Sequence, residues 1–382
     1  MRKFLLLIPL LSVLFSCGEN YTFDIFRPSD LTVTYISNSE VLLNWTDNTD
    51  NETGFVIQRE LQEGRFQTIF TTVENITSFA DTTVIVEKTY KYRVAADVDS
   101  DISDWSNIAE IYVSKDFSDM FFGTNETLEI MTWNLRNFPL ANNTTVNKVN
   151  EVIKNLDVDI VALQEIESNQ YFEDLTEALE GWTGYRANSA YQSINLAFLY
   201  KDELAVIDIY EIFTEDSYAF PRSPLVIEIE YEGNFVTVIN NHFKAFGEPD
   251  DVARRRAAVQ HLDEYVSAHI LFEDVIITGD LNDEIQEPEA LNVFWDFLSE
   301  PQEYLFADME IAQGNRSNWS WGNGGSHLDH ILITNELFDE FNNPQSDIQT
   351  IIVDDFLPDG WQQYSSEISD HRPVAIRLKF GE

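Results

Sequence analysis

The chain has 382 residues, of which 44% are hydrophobic and 13% aromatic, so it is long enough for two domains and too apolar to be disordered. Its 23 Lys and Arg against 67 Asp and Glu give a formal net charge of −44 at pH 7. This charge is unfavourable for non-specific binding of a long polyanion, which usually needs a basic face. A solvated acidic surface explains most of it. A high-salt habitat, where charges are screened, and a substrate that is not a long polyanion are the alternatives.

The first seventeen residues are typical of an export signal. Arg2 and Lys3 precede an apolar run at residues 4–15 that is too short to span a bilayer. The run ends in Leu-Phe-Ser-Cys, which resembles the lipobox of bacterial lipoproteins, and Cys17 is the only cysteine. We therefore expect a lipoprotein signal peptide at residues 1–16, a lipid on Cys17, and an exported protein anchored by that lipid at the outer membrane or cell surface. A plain secretory signal with an incidental cysteine is the alternative.

Residues 27–113 are predicted to form one small all-β domain. Turn-forming residues separate six short alternating segments, at residues 31–34, 41–45, 54–60, 66–70, 89–95 and 108–113. The segments WTDNTDNETGFVIQRE and TYKYRVAA resemble a fibronectin type III domain, which implies an all-β sandwich with Trp45 in its core and Tyr90 as its tyrosine-corner residue. Nothing in this domain indicates chemistry, so a spacer is a better interpretation than a binding module.

A linker at residues 114–127 is predicted to separate this domain from a second one at residues 128–382. Met120, Phe121 and Phe122 are too apolar for a solvated tether, and we expect them to pack between the domains. From residue 128, strand-like runs alternate with helical segments. Strands are predicted at LEIMTW, DIVALQ, VIITGD and residues 196–200, 226–231 and 235–240, and helices at residues 146–156, 172–179 and 252–269. This order predicts an α/β fold with mixed or antiparallel sheets and outer helices.

Five polar motifs lie beside apolar, strand-like runs in the second domain. They read MTWNLRNF (131–138), LQEIE (163–167), NNHFKA (240–245), GDLND (279–283) and the pair SHLDHILI and SDHRP (326–333 and 369–373). Carboxylates, amides and histidines at the ends of buried strands are costly unless those ends converge on a site. Such a set suits metal-assisted attack of water on a phosphate ester.

The order and wording of these motifs resemble the endonuclease/exonuclease/phosphatase superfamily, whose members include pancreatic deoxyribonuclease. The resemblance implies a four-layer α/β/β/α sandwich at residues 128–382, with two sheets face to face and helices outside. It also implies a divalent cation, Mg²⁺ or else Mn²⁺ or Ca²⁺, which hard oxygen ligands bind. By resemblance, the residues that hold or place this cation are Asn134, Glu165 and Asp370.

The same resemblance assigns catalytic roles to five residues. Asp280 orients or deprotonates the attacking water, and Asn282 stabilises the transition state. His371 accepts the proton of the water or neutralises charge, while Asp329 holds its imidazole in one tautomer. His242 contacts the scissile phosphate. Pancreatic deoxyribonuclease pairs this histidine with a glutamate, but Ile194 stands at that place here, which favours simple phosphate binding over general acid catalysis.

Three further residues are expected to bind substrate. Arg222 lies between strands where relatives carry a phosphate-contacting arginine, and Asn241 and Lys244 flank His242. The triplet at residues 254–256 is all arginine, and ion pairs with acidic neighbours are at least as good an interpretation as contacts with nucleic acid. His330 is expected to point away from Asp329 and to pack structurally.

Taken together, these features predict a monomeric, metal-dependent phosphodiester hydrolase with no obligate protein partner. The leading substrate is extracellular nucleic acid, DNA before RNA. The alternative is a phosphatase or phosphodiesterase for small or lipid phosphoesters, which the acidity favours. A non-catalytic surface-binding protein is a lesser alternative, because the polar set is complete.

Overall fold

The computed structural model describes residues 26–99, 101–190, 194–269 and 273–381. The chain divides between Val113 and Ser114 into two compact units. The predicted signal peptide at residues 1–16 and the lipidation site Cys17 lie outside the described residues. In the described part of the chain, none of the helices combines the length and the apolar character needed to cross a bilayer.

The first unit consists of two antiparallel sheets. One has the order β1-β2-β5, and the other has the order β4-β3-β6-β7, with β8 paired to β6. The strands are β1 (Ser29–Ser37), β2 (Glu40–Thr46), β3 (Gly54–Gln62), β4 (Arg65–Thr71), β5 (Ser78–Asp81), β6 (Lys88–Val98), β7 (Asp101–Ile102) and β8 (Ala109–Val113). Alternate residues of both sheets face a shared apolar core, as the period of two predicts.

Two aromatic residues anchor this core. Trp45 is buried and packs its ring against the edge of Phe55, with 5.5 Å between the ring centroids. The Tyr90 hydroxyl accepts a hydrogen bond from the Ile85 N–H (2.8 Å) and donates one to the Ile85 carbonyl (3.2 Å). The phenol therefore ties β6 to the chain five residues before it, which is the contact expected of a tyrosine corner.

The second unit contains two six-stranded mixed sheets, of order β11-β12-β10-β9-β20-β19 and β13-β14-β15-β16-β18-β17. In each sheet only the central pair is parallel, β9 with β10 and β15 with β16. The strands are β9 (Leu128–Phe138), β10 (Ile160–Ile166), β11 (Trp182–Arg186), β12 (Asn195–Lys201), β13 (Ala205–Glu211), β14 (Leu225–Tyr231), β15 (Asn234–His242), β16 (Asp274–Asp280), β17 (Tyr304–Phe306), β18 (Asp329–Thr334), β19 (Asp347–Thr350) and β20 (Val374–Leu378). The helices are α1 (Asn143–Leu156), α2 (Asn169–Ala178), α3 (Pro249–His269), α4 (Trp295–Leu298), α5 (Met309–Gln313), α6 (Phe338–Phe341) and α7 (Gly360–Glu367).

Three apolar cores separate four layers in this unit. The central core lies between the sheets and joins, for example, Ile130 and Ile160 of the first sheet to Ile227 and Ile276 of the second. An outer core packs α1, α2 and α7 on the first sheet, and another packs α3 on the second. The unit is therefore an α/β/β/α sandwich, because strands buried on both faces need helices outside them.

The segment before β9 belongs to the outer core of the second unit. Phe117, Met120 and Phe122 are buried in it, and the N–H groups of Phe122 and Gly123 donate to the Leu156 carbonyl at the end of α1. Met120 and Phe122, which were expected to pack between the domains, thus contribute to the core of the second unit. Phe121, by contrast, is 69% exposed. The end of α1 leaves carbonyls without helical partners, and this segment supplies the donors.

Strand register brings the polar motifs together at one edge of the second sheet. His242 is paired with Asp280 across β15 and β16, and Asp280 is paired with Asp329 across β16 and β18. Paired residues on neighbouring strands point to the same face of a sheet, so these three side chains lie side by side. Gly279 allows this close approach, since a Cβ there would lie 1.9 Å from the Asn241 carbonyl oxygen.

Candidate active site

Asn134 connects the two sheets at the site. Its side-chain nitrogen donates to Asp280 Oδ2 (2.9 Å) and to Glu165 Oε1 (3.3 Å), and its oxygen accepts from the Arg136 N–H (2.9 Å). Asn134 and Glu165 come from β9 and β10 of the first sheet, whereas Asp280 ends β16 of the second. The two sheets therefore contribute to one buried polar cluster.

His371 and Asp329 form a close pair beside Asp280. His371 Nδ1 lies 2.8 Å from Asp329 Oδ2, so the ring donates this proton to the carboxylate, and His371 Nε2 lies 3.9 Å from Asp280 Oδ2. Burial alone would lower the pKa of His371, but the charges of Asp329, Asp280 and Asp370 outweigh it and raise that pKa to about 10. His371 is therefore an imidazolium at neutral pH.

Asp280 is the most central carboxylate of the cluster. Burial raises its pKa to about 6; the charge of His371 and the hydrogen bond from Asn134 oppose this rise, and the charges of Asp329 and Glu165 add to it. Its second oxygen accepts from the Asn282 N–H (3.1 Å). Asn282 has a φ of 53°, and its side-chain nitrogen donates to the Phe243 carbonyl (3.2 Å), so the turn of the GDLND motif is held tightly.

His242 lies on the other side of Asp280. Its Nε2 is 3.4 Å from Asp280 Oδ2 and 3.9 Å from Glu165 Oε1. Burial, together with the charges of Arg222 and His371, lowers the pKa of His242 well below its usual value, so the ring is neutral. Its buried Nδ1 has no hydrogen-bond partner within the described ranges, in agreement with the expectation that Ile194 leaves this histidine without a glutamate partner.

The predicted cation-binding residues flank a short turn. Glu165 Oε2 accepts from the Asn137 N–H (2.9 Å), and Asp370 pairs with the Arg136 guanidinium (3.4 Å). The carboxylates of Glu165 and Asp280 both accept from the same side-chain amide of Asn134. Their negative charges repel each other, and a divalent cation bound by these hard oxygen atoms would relieve that repulsion. The donor set of this site therefore fits such a cation.

This chain resembles known proteins both in sequence, through a family model, and in structure. A family model described as the endonuclease/exonuclease/phosphatase family matches residues 131–371. The chain belongs to this family. Family members are phosphoesterases, so the chain is placed among hydrolases of phosphate esters. No curated protein sequence matches it.

Several solved structures also resemble this chain. The D. rerio TDP2 structure complexed with single-strand DNA product has a TM-score of 0.53 at 14% identity, over 67% of this chain and all of that chain. The human Nocturnin catalytic domain with bound sulfate has a TM-score of 0.48 at 16% identity, over 68% and 96% of the two chains. The mannosyl-6-phosphatase Bt3783 of Bacteroides thetaiotaomicron has a TM-score of 0.45 at 16% identity, over 66% and 100%.

Two serine hydroxyls form hydrogen bonds to the backbone next to the site residues and hold that backbone in place. Ser369 Oγ donates to the Asn134 carbonyl (2.6 Å) and accepts from the His371 N–H (3.0 Å). Ser320 Oγ accepts from the N–H groups of Leu328 and Asp329 (3.1 and 3.2 Å). These serines were not predicted, because their partners are backbone groups and leave no motif of their own.

A second group of buried acid and imidazole lies behind the site. Asp308 Oδ2 contacts His327 Nε2 (3.0 Å) and His330 Nδ1 (2.6 Å), and His330 Nε2 contacts the Asp283 carbonyl (2.9 Å). Both ring nitrogens of His330 face acceptors, so this ring carries two protons, in agreement with its raised pKa. His330 thus packs structurally, as its position on β18 predicted.

The positions of the protons on the two histidine rings show that this second group is a hydrogen-bonded network and not a metal site. The Ser320 N–H donates to His327 Nδ1 (3.3 Å), so the proton of that ring sits on Nε2, toward Asp308. The other Asp308 oxygen accepts from the Ile331 N–H (2.9 Å). His327 Nε2 and both ring nitrogens of His330 carry protons, and the lone pair of His327 Nδ1 accepts the Ser320 N–H, so each of these ring nitrogens is already engaged.

The three predicted substrate-binding residues have different surroundings. Arg222 and Lys244 line one cavity, but the Lys244 ammonium is paired with Asp251 (2.8 Å). Asn241 is fully buried, and its amide nitrogen donates to the carbonyls of Ile239 and Thr278 (2.9 and 3.3 Å). The prediction of a substrate contact is therefore wrong for Asn241, because alternation along β15 turns it away from His242.

The arginine triplet at the start of α3 makes protein contacts. Arg255 pairs with Asp283 (2.8 Å), while Arg254 and Arg256 donate to backbone carbonyls of residues 217, 218 and 291. Ion pairing and loop support, rather than contact with nucleic acid, account for these side chains.

Proposed function

We propose that this chain is a divalent-metal-dependent phosphodiester hydrolase. The observation that supports this most is the convergence of Asp280, Asp329 and His371 with Asn134 and Glu165 on strand ends from both sheets. A catalytic base and a fixed positive charge lie within one cluster, which hydrolysis of a phosphate ester requires.

Asp280 is the proposed base. Its raised pKa of about 6 makes it a stronger base than an ordinary aspartate, yet it is ionised at neutral pH. In the proposed step, a water oxygen bonds to phosphorus and its proton passes to Asp280, while the ester P–O bond breaks with its electron pair on the leaving oxygen, which takes a proton from solvent water. His242 and Asn282 border the same carboxylate and orient the phosphate.

His371 is the proposed stabiliser of negative charge. Its imidazolium Nε2 is only 3.9 Å from Asp280, so it faces the side from which water attacks. In an in-line displacement the leaving oxygen lies on the opposite side, which places His371 against the phosphoryl oxygens and not against the leaving group. Asp329 keeps the ring oriented and charged.

Glu165, Asn134 and Asp370 are the residues proposed to hold a divalent cation, Mg²⁺ before Mn²⁺ or Ca²⁺. When bound, such a cation polarises the phosphate ester and neutralises developing charge.

The test is hydrolysis by the purified chain with Mg²⁺, Mn²⁺ or Ca²⁺, against single-stranded DNA, duplex DNA, RNA and bis(4-nitrophenyl) phosphate. We expect cation-dependent turnover that chelation abolishes and that Asp280→Asn and His371→Gln both lose. A failure to hydrolyse any of these esters with any of the three cations would refute the proposal.

The leading substrate remains nucleic acid, DNA before RNA. The TDP2 relative holds a single-strand DNA product, which supports a substrate of this class. A small or lipid phosphoester is the second candidate, because a net charge of −44 repels long polyanions and the arginine-containing cavity beside the site is small.

The first unit is proposed to be a fibronectin type III spacer, supported by its two sheets and the Tyr90 contacts. The chain is further proposed to be a monomeric, exported bacterial lipoprotein anchored through Cys17 at the outer membrane or cell surface. Labelled palmitate should enter the wild-type chain in an expressing bacterium and not the Cys17→Ala variant. Equal labelling of both would contradict the anchor.

A further inference from the structure

A cavity of about 500 Å³ opens beside the catalytic cluster. Its walls come from the segment before β12, the segment before β14, the loop after β15 and the start of α3. The apolar part includes Ile194, Pro221 and Phe246, and the polar part includes Arg222. A volume of this size is typical of a site for one small ligand and too small for a duplex.

Arg222 is the cation of this cavity that is available to a ligand. Lys244 is paired with Asp251 (2.8 Å), and Arg254 donates to the carbonyls of residues 217 and 218. Arg222, by contrast, forms no hydrogen bond or ion pair with the part of the chain that the structure describes. Lys244, two residues after His242, lines the same cavity as Arg222, so the cavity adjoins the catalytic centre.

Phe246 presents an exposed ring at the edge of the cavity. The residue is 77% exposed and has a φ of +79°, a conformation that is strained for an aromatic residue. Strain of this kind persists only where the surroundings enforce it, and it concentrates at functional sites.

Arg255 enforces this conformation. Its buried guanidinium donates from Nη1 to the carbonyls of Lys244 (2.7 Å) and Phe246 (2.6 Å) and pairs with Asp283 (2.8 Å) in the GDLND motif. The backbone that carries the exposed ring is therefore fixed relative to the turn that carries Asp280 and Asn282, and the Lys244 ammonium lies 4.7 Å from the ring centroid. A fixed backbone lowers the cost in conformational entropy of placing the ring against a flat ligand.

We propose that this cavity, named here the Phe246 subsite, holds one unpaired nucleotide next to the scissile phosphate, with its base against Phe246 and its phosphate on Arg222. The inference rests on the proposed function. Bases stack on aromatic side chains, and an arginine binds a phosphate through charge-assisted hydrogen bonds. In a chain of net charge −44, one cation-containing cavity admits a single phosphate while the surface repels a long duplex. The substrate is therefore a single strand or its end, rather than the interior of a duplex.

The test compares pentathymidylate with five oligonucleotides that each lack one base, using the full chain with Mn²⁺. In the wild type, one of the five should show a KM about tenfold above that of pentathymidylate, because one base loses its stacking partner. In Phe246→Ala this difference between the two oligonucleotides should disappear. Phe235→Ala, which removes a similarly exposed ring at the opposite end of β15, should retain it.

Duplex DNA of the same sequence should be cut at least tenfold more slowly than the single strand. If Phe246→Ala keeps the full tenfold difference, or if duplex and single strand are cut equally well, the Phe246 subsite is refuted while the hydrolase stands. If the wild-type chain cuts no nucleic acid but hydrolyses bis(4-nitrophenyl) phosphate, the assignment of a nucleotide to the subsite fails. If nothing is hydrolysed, the proposed function itself fails.

Discussion

Two buried groups of aspartate and histidine lie on opposite faces of β18. The first joins Asp280, Asp329 and His371, and the second joins Asp308, His327 and His330. Neighbouring residues of one strand, Asp329 and His330, belong to different groups because successive side chains alternate between the faces of a sheet. Composition and burial are nearly the same in both.

The two groups differ in how completely their polar atoms are satisfied. In the second group, every ring nitrogen and both Asp308 oxygens have partners. In the first group, the buried Asp329 Oδ1 has no partner and His371 Nε2 forms no hydrogen bond to the described residues. Saturated groups hold a fold together, whereas unsatisfied atoms facing a common space can meet a substrate.

The largest expected effect is the loss of activity when the base is removed. Asp280→Asn keeps the shape of the side chain but cannot accept a proton, so kcat should fall by about 10⁴-fold. The free energy of unfolding should not fall, because a buried carboxylate disappears. Steady-state hydrolysis of bis(4-nitrophenyl) phosphate and urea unfolding measure both quantities, and a variant that retains a tenth of the wild-type kcat would contradict the assignment.

The second effect is a loss of stability when the second group, Asp308, His327 and His330, here called the saturated group, is disrupted. His330→Gln leaves the Asp308 carboxylate buried without its cation, and the second unit should lose about 3–5 kcal/mol of unfolding free energy. Asp308→Asn added to it should recover part of this loss. The kcat of the folded fraction should stay near that of the wild type. If the unfolding free energy of His330→Gln in urea equals that of the wild type, His330 is not the buried cation paired with Asp308.

The third effect tests the pairing of His371 with Asp329. Asp329→Asn removes the carboxylate that contributes most to raising the His371 pKa, so that pKa should fall from about 10 and the ring should lose its charge nearer to neutral pH. We expect a decrease in kcat of about 10²-fold. Nitrogen chemical shifts of the His371 ring over pH report the pKa directly, and an unshifted pKa would contradict the pairing.

The smallest effect concerns Glu129, a buried carboxyl that has no imidazolium beside it. Burial, with the neighbouring Asp159, raises the pKa of Glu129 to about 8 in the folded chain, above its ordinary value of 4.5. The folded state therefore binds this proton more tightly, and stability falls as the pH rises from about 4.5 to about 8. Glu129→Gln should remove this dependence and stabilise the second unit by about 1–3 kcal/mol at pH 9. Equal melting temperatures of the two proteins at pH 9 would contradict this.

Much of the catalytic group was predictable because each member lies beside an apolar run inside a short motif. Asn134, Glu165, His242 and Asp280 follow such runs and His371 precedes one, and the structure brings them together. Alternation along β15 turns the Asn241 side chain away from His242, which corrects the prediction that Asn241 contacts the substrate. The sequence could not show that Lys244 is neutralised by Asp251, since this pair depends on how α3 begins.

The saturated group could not be predicted in full. Asp308 lies outside every motif, and its partners are 19 and 22 residues further along the chain. Only the fold shows that the segment after β17 runs behind β18. Similarly, an apolar linker sequence does not reveal which surface it covers, and the carbonyls at the end of α1 decided the position of Phe122.

The most direct test of the central claim is the kcat of His371→Gln measured beside His330→Gln, each corrected for the folded fraction, on single-stranded DNA with Mn²⁺. The unsatisfied group is predicted to be catalytic, so His371→Gln should lose about 10²–10³-fold in the kcat of the folded chain, while His330→Gln should lose stability and keep a kcat near that of the wild type. A His371→Gln variant that turns over at the wild-type rate would contradict the account.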